Sequence, residues 1–374
     1  MPTSPIRVAV IGLGAWGTLA HLPSLRAHPD AEVVAVVERD ERRLSEVAGR
    51  FGVPLALSTP DELWRRQDAF DAVVIATPTE THHDLTLPAL ALGKHVLCEK
   101  PLAFDVDQAR AMAEAAREAG VVTKLGFMFR FSPAIQRMKA LFDEGYIGDV
   151  VAFQSHTMNA QFIDPATPIH WKMRRDQANG GVFAEYGAHA IDLAAWLVGP
   201  IDRVVAQART ITPRRPDASG ALVAVDVDDA AAWLAAFVSG AQGSFETSWS
   251  TLPVGGGGVR LYGTRGSLAW QPDPGLRTSE RLFGATVDSP GPEVLLEFGT
   301  DPGAASDVEQ STHSIGISAD YNDRLIGSFL SDIRLGHSTG PDFSDGLRTQ
   351  MVLSAVQRSL ASRQWEAVET DPIG

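Results

Sequence analysis

Short apolar runs separated by longer stretches of helical periodicity fill the first third of the chain. Ile6–Ile11, Val33–Val37, Ala72–Ile75, His95–Cys98 and Val122–Phe127 are mainly apolar, with Arg7, His95, Thr123 and Lys124 the polar exceptions. Strands with that pattern are buried on both faces, as in a parallel sheet covered by helices. The stretches near Ala15–Ala27, Glu41–Phe51, His83–Leu92 and Asp105–Ala119 read as the crossover helices. After about Phe127 the rhythm changes. A helix is expected over Pro133–Glu144, a strand over Val150–Thr157, and a helix over Gly187–Leu197 closed by Gly199-Pro200. Ile201–Ile211, Ala230–Val238, Ala241–Trp249 and Val259–Tyr262 read as strands, two of them joined into a hairpin at Ser239-Gly240. Gly255–Gly258 reads as a flexible joint, and Pro272–Ser314 as irregular loops and edge strands. Leu347–Leu360 is an amphipathic helix. The pattern therefore predicts an α/β domain over residues 1–127, followed by an α+β domain with an antiparallel sheet over 128–374. The final helix is expected to be able to pack back on the first domain.

Composition narrows the partners. The 374 residues carry a formal net charge of −14, which repels nucleic acid and anionic membrane surfaces. No run approaches the roughly 18 apolar residues of a membrane span. A single cysteine, Cys98, excludes an internal disulfide and fits a reducing compartment. The opening "MPTSPIRVAVIG" lacks the basic, apolar and small-residue order of an export signal, so a cytoplasmic location is expected. His82-His83 has no spaced partner ligands, so no metal site is expected.

"VAVIGLGAWG" gives the first chemistry. Gly12, Gly14 and Gly17 stand in G-x-G-x-x-G spacing directly after an apolar strand, with Ala15 and Trp16 completing the turn. Such glycines allow a tight turn, close approach of a pyrophosphate, and close helix–strand packing. The start of the following helix offers amides to the phosphates. Glu38, 21 residues beyond Gly17, ends the second strand, where a carboxylate accepts hydrogen bonds from the adenosine ribose. NAD is therefore the expected cofactor, while the neighbouring Arg39 leaves NADP open through pairing with a 2′-phosphate.

Further along, "ATPTETHHDLTLPALALGKHVLCEKPLA", "NGGVFAEYGAHAIDLAAWLVG" and "FSDGLRTQMVLSAVQRSLASRQWEAV" resemble the glucose–fructose oxidoreductase, inositol dehydrogenase and rhizopine-catabolism (Gfo/Idh/MocA) family. The resemblance implies an N-terminal Rossmann dinucleotide-binding domain and a C-terminal substrate-binding and oligomerisation domain built on an open, mostly antiparallel sheet. It adds Thr77, Pro78, His82, Glu99 and Lys100 to the cofactor residues. It places Lys100 beside both nicotinamide and substrate, steadying the reacting oxygen, with a cis bond expected before Pro101. A homodimer or homotetramer packed through the second domain is also implied, in keeping with an open sheet that wants covering.

Glu185, His189 and Asp192 stand at i, i+4 and i+7, which on a helix gives one face. Two carboxylates can fix a histidine's tautomer and tune it as a general acid/base. The resemblance gives that role to His189 and a catalytic place to Glu185, although the family's pattern has aspartate there. Asp192, Arg130, His170 and Trp171 are the expected substrate contacts. Hydride transfer between nicotinamide and a carbon of a sugar, polyol or related polyhydroxy compound is the activity implied. A glycosidase or epimerase using transient oxidation, and a non-catalytic nucleotide sensor, are the alternatives.

Overall fold

A computed structural model describes residues 4–252, 257–273, 279–299 and 318–370. Residues 255–256 of the expected glycine joint, and 274–278 and 300–314 of the expected loop-rich stretch, lie outside the described residues. The chain divides into two compact units. One comprises Met1–Met128 with Ala319–Leu347, and the other Phe129–Ser318 with Arg348–Gly374.

In the first unit, β1 (Ile6–Ile11), β2 (Ala31–Val37), β3 (Leu55–Leu57), β4 (Ala72–Ile75), β5 (His95–Cys98) and β6 (Thr123–Leu125) form one sheet. Its order is β3-β2-β1-β4-β5-β6, all parallel. The apolar runs are explained by burial on both faces: every residue of β4 and most of β1 and β5 are buried. Strand order reverses beside β1, and the carboxyl edge there is where open α/β sheets take ligands. That edge is laced together by backbone hydrogen bonds. Gly12 N–H donates to Val37 O, Ala76 N–H to Ile11 O, Glu99 N–H to Ile75 O, and Gly126 N–H to Cys98 O. Asp40 and Asp105 cap the helices Glu41–Phe51 and Val106–Ala119 by accepting amides three residues on.

A helix at Ser318–Leu335 lies beyond the expected elements and belongs, for all but its first residue, to this first unit. Its buried positions Tyr321, Leu325, Ile326, Phe329 and Leu330 follow the helical period. Lys124 of β6 holds it: the fully buried ammonium donates to Asp332 at 2.5 Å, Ser328 at 2.9 Å and the Gly340 carbonyl at 2.9 Å.

The second unit is built on β7 (Val150–Met158), β8 (Ile201–Arg209), β11 (Ala230–Phe237), β12 (Gln242–Ser248), β13 (Gly258–Gly263), β14 (Gly266–Pro272), β15 (Ser279–Thr286), β16 (Glu293–Gly299) and β17 (Glu366–Ala367). The sheet order is β16-β15-β14-β13-β7-β12-β11-β8-β17, antiparallel except for the parallel pair β7–β12. A separate ribbon pairs β9 (Arg214–Pro216) with β10 (Leu222–Ala224). The expected hairpin joins β11 and β12, with Gly240 at a φ of +90°. The stretch expected to hold loops and edge strands contains β15 and the edge strand β16. On one face Phe153, Trp233, Phe245, Leu261, Trp270 and Leu282 are buried, Trp233 stacking on Phe245 at 4.8 Å. The helices Pro133–Asp143 and Gly187–Val198 contact the strands of this sheet. No described helix is long and apolar enough to cross a membrane.

Candidate active site

The glycine turn has the shape its residues require. Gly12 sits at a φ of +93°, and a Cβ there would fall 2.6 Å from the Ala76 carbonyl oxygen. At Gly17 a Cβ would strike the Gly12 oxygen at 2.1 Å. A Cβ at Gly14 would meet nothing within 4 Å, so open space lies over that backbone. Ala15 and Trp16 open the helix, whose first amides have no intrahelical acceptor. Buried Glu38 accepts from Leu13 N–H and Asp40 N–H, each at 3.1 Å, and from Arg43 at 3.4 Å. A carboxylate has about four acceptor positions, so capacity for a ribose remains. Arg39 is exposed beside it. This arrangement fits a dinucleotide: an open cradle, a helix start and a carboxylate on one sheet edge.

Thr77 and Pro78 follow β4 half-buried, and the Thr77 hydroxyl accepts from Thr81 at 2.7 Å. His82 is buried behind them. Its Nδ1 faces the Pro101 carbonyl at 2.9 Å and its Nε2 the Thr77 carbonyl at 3.0 Å. Burial lowers its pKa despite these carbonyls, and a neutral ring can donate to only one of them. One ring nitrogen therefore braces the backbone by donating to a carbonyl, and which carbonyl accepts depends on the tautomer. Lys100 stands immediately beyond β5, and the Lys100–Pro101 bond is cis. Its neighbour Glu99 is held by His21 at 2.9 Å. Cys98 is a buried strand residue whose thiol pKa is pushed well up by burial, which makes it a poor nucleophile.

In the second unit, Glu185, His189 and Asp192 do not lie on one unbroken helix. Glu185 ends the helix Val182–Glu185, and after Tyr186 a new helix runs from Gly187 to Val198. All three are buried, so the trio is no solvated polar face. Asp228 sets the first of these helices by accepting from Gly181 N–H at 2.8 Å and Phe183 N–H at 3.0 Å. Burial raises its pKa to about 6 against those two amides. Glu185 pairs with Lys172 at 2.8 Å. His189 packs against Phe129, ring centroids 4.6 Å apart. Arg130 and Asp192, expected at the substrate, face each other in a buried two-pronged pair at 2.9 and 2.5 Å. That pair is what either would have to surrender to reach a ligand. His170 caps the turn Trp171–Met173, accepting from Lys172 N–H, and burial with the Lys172 charge lowers its pKa to about 4. Lys172 Nζ lies 5.6 Å from the Trp171 ring centroid, over the surface expected to stack on a sugar.

Lys172, Asp228 and His21 are outside the residues the sequence singled out. Lys172 adjoins Trp171, so its neighbourhood was visible. The partners of Asp228 and His21 are 47 and 78 residues away, with no local spacing to reveal them.

Comparisons with known proteins give the family. A profile described as "Oxidoreductase family, NAD-binding Rossmann fold" matches residues 6–127, and the "GFO/IDH/MocA C-terminal domain" profile matches residues 135–269. The chain is 29% identical over 362 residues to a levoglucosan dehydrogenase of Pseudarthrobacter phenanthrenivorans, covering 91% of this chain and 90% of that protein. It is 31% identical over 371 residues to an inositol 2-dehydrogenase of Rubrobacter xylanophilus, covering 98% and 94%. A solved levoglucosan dehydrogenase in complex with NADH and levoglucosan superposes with a TM-score of 0.86 at 26% identity, covering 98% of this chain and 100% of that one. With its glycine turn, its Glu-Lys-Pro strand end and both domain profiles in register, the chain belongs to the Gfo/Idh/MocA family of NAD(P)-dependent oxidoreductases.

Proposed function

We propose that this enzyme oxidises or reduces one carbon of a cyclic polyhydroxy compound, a sugar, anhydrosugar or inositol. The carrying observation is that Lys100 stands on the same carboxyl edge as the glycine turn and Glu38. Relatives named for levoglucosan and for inositol support that substrate class. Gly12, Gly14, Ala15, Trp16, Gly17, Glu38 and Thr77 hold the dinucleotide in this reading. When bound, its nicotinamide supplies the hydride acceptor or donor. Lys100 donates a hydrogen bond to the reacting oxygen and steadies its charge. His189 takes the hydroxyl proton in oxidation and returns it in reduction. Glu185 and Lys172 orient the remaining hydroxyls, a carboxylate accepting and an ammonium donating. Glu38 favours NAD by repelling a 2′-phosphate. The enzyme works as a homodimer or homotetramer through its nine-stranded sheet, and a single buried cysteine supports a cytoplasmic setting.

The test is the absorbance of NADH with NAD and then NADP against a panel of inositols, sugars and anhydrosugars. Turnover that falls by about 100-fold or more in both Lys100→Ala and His189→Ala supports the assignment. Product formed without net NADH would replace it with transient oxidation.

A further inference from the structure

The helix that follows the glycine turn is irregular. Over Gly17–His21 it widens into a π-turn, and the Leu22 amide donates to the Gly17 carbonyl five residues back. Turns of this kind re-aim side chains and are frequent at functional positions. This one ends at His21, whose side chain is fully buried. Its Nε2 lies 2.9 Å from Glu99 Oε1, and Glu99 Oε2 accepts from the backbone N–H of Lys100 at 3.2 Å. Gly126 leaves room for this contact, because a Cβ there would fall 2.8 Å from both carboxylate oxygens. Burial alone would raise the Glu99 pKa, but the hydrogen bond from His21 and the charges of His21 and Lys100 hold it below the usual carboxylate range. Glu99 is therefore ionised at neutral pH, which makes His21 Nε2 the donor. The other ring nitrogen, Nδ1, is buried with no hydrogen-bond partner.

A carboxylate only 12% exposed and a fully buried imidazole with one unpaired nitrogen are a costly way to fill space. The chain of contacts runs from His21 to Glu99 and from Glu99 to the backbone amide of the residue next in sequence, Lys100. We propose that His21 and Glu99 are positioning residues for Lys100. His21 fixes the Glu99 carboxylate, and Glu99 fixes the backbone and attracts the ammonium of Lys100 at the end of β5. The helix begun by the glycine turn thereby sets the placement of the lysine. This proposal rests on the reading of Lys100 as the group that meets the reacting oxygen.

The test has a substrate-free arm and a turnover arm. In the first, trinitrobenzenesulfonate modifies the wild type, His21→Leu, His21→Gln and Glu99→Gln at one pH, and modification at each lysine is followed by peptide mass. His21→Leu and Glu99→Gln should change the rate at Lys100 by about fivefold or more with Lys139 unaffected, while His21→Gln, which keeps an N–H, stays within about twofold. In the second arm, on the substrate found by the panel, His21→Leu should lower kcat by about 10- to 100-fold, leave NADH affinity within about threefold, and be rescued by His21→Gln. Unchanged Lys100 modification and kcat in folded His21→Leu overturn the proposal. Equal loss of thermal stability and NADH binding in His21→Leu and His21→Gln also overturns it, because His21 would then only support the fold. A wild type that turns over nothing defeats the functional reading alone, and the modification rates still decide this one.

Discussion

Glu185 and Lys172 form an ion pair that is nearly closed to water on one side and partly open on the other. The carboxylate side chain is 2% exposed and the lysine 23%. Removing one member of such a pair leaves the other charge buried and uncompensated. Lys172→Met should therefore cost about 3 kcal/mol of stability, and Lys172→Met combined with Glu185→Gln should recover more than half of it. Urea unfolding of the four proteins in the cycle checks this; equal losses in the single and double variants would remove the pair from the site's architecture. His170, beside the same lysine, gives a prediction in pH. Its folded pKa of about 4 lies below the ordinary value of 6.5, so the unfolded chain binds more protons between those limits. Stability from this group is full above about pH 6.5 and is lost as pH falls towards 4, by at most about 3 kcal/mol. The difference in unfolding free energy between wild type and His170→Gln, measured from pH 7 down to pH 4, should shrink as pH falls. A difference that stays constant would mean His170 is not held neutral.

At the scale of elements, polar contacts join the Ala319–Leu347 segment to the rest of the first unit, among them Asn322 to Ser24, Ser338 to the Thr123 carbonyl and the three bonds of Lys124. Its ammonium is fully buried, and Asp332 also accepts from Thr339 through both carboxylate oxygens. Lys124→Met leaves the Asp332 charge without its cation and should cost about 3–5 kcal/mol. Amide exchange should show the loss first in the helix Ser318–Leu335; protection that falls evenly across the chain would argue against a local tether. The parallel strands and their helices were legible because each is a local pattern, an apolar run or a helical period. The strand Leu55–Leu57 was too short to register. The bounds of strands β15 and β16 were obscured by the Gly, Pro and Asp residues around them, and the helix Ser318–Leu335 by its position after that polar stretch. The candidate site divides in the same way. The glycine turn and Glu38 follow from spacing within one βαβ unit. Arg130 with Asp192 and Asp228 with Gly181 are 62 and 47 residues apart, and only the fold brings them together.

At the scale of the whole molecule, the nine-stranded sheet has a second face opposite its aromatic core. Strand register sets one row across it: Val205, Leu234, Ser244, Gln154, Arg260, Ala269, Phe283 and Val294. Leu234 is 52% exposed and Val294 54% exposed, while the residues between them are half-buried. Small or flat side chains fill much of the row, so another sheet can approach closely, and the same patch can meet itself across a two-fold axis. Arg260 lies near the middle, where a two-fold axis would bring like charges together. The axis should therefore pass to one side of Arg260, towards the Leu234 end. Leu234→Glu would then place a desolvated carboxylate in the contact of each copy. Light scattering during gel filtration should show the wild type at a multiple of 40.1 kDa and Leu234→Glu at the single-chain mass. Val294→Glu, at the far edge of the row, should leave the assembly intact. If both variants keep the wild-type mass while remaining folded by circular dichroism, the copies meet through another surface. If Val294→Glu alone dissociates the assembly, the axis lies at the β16 edge.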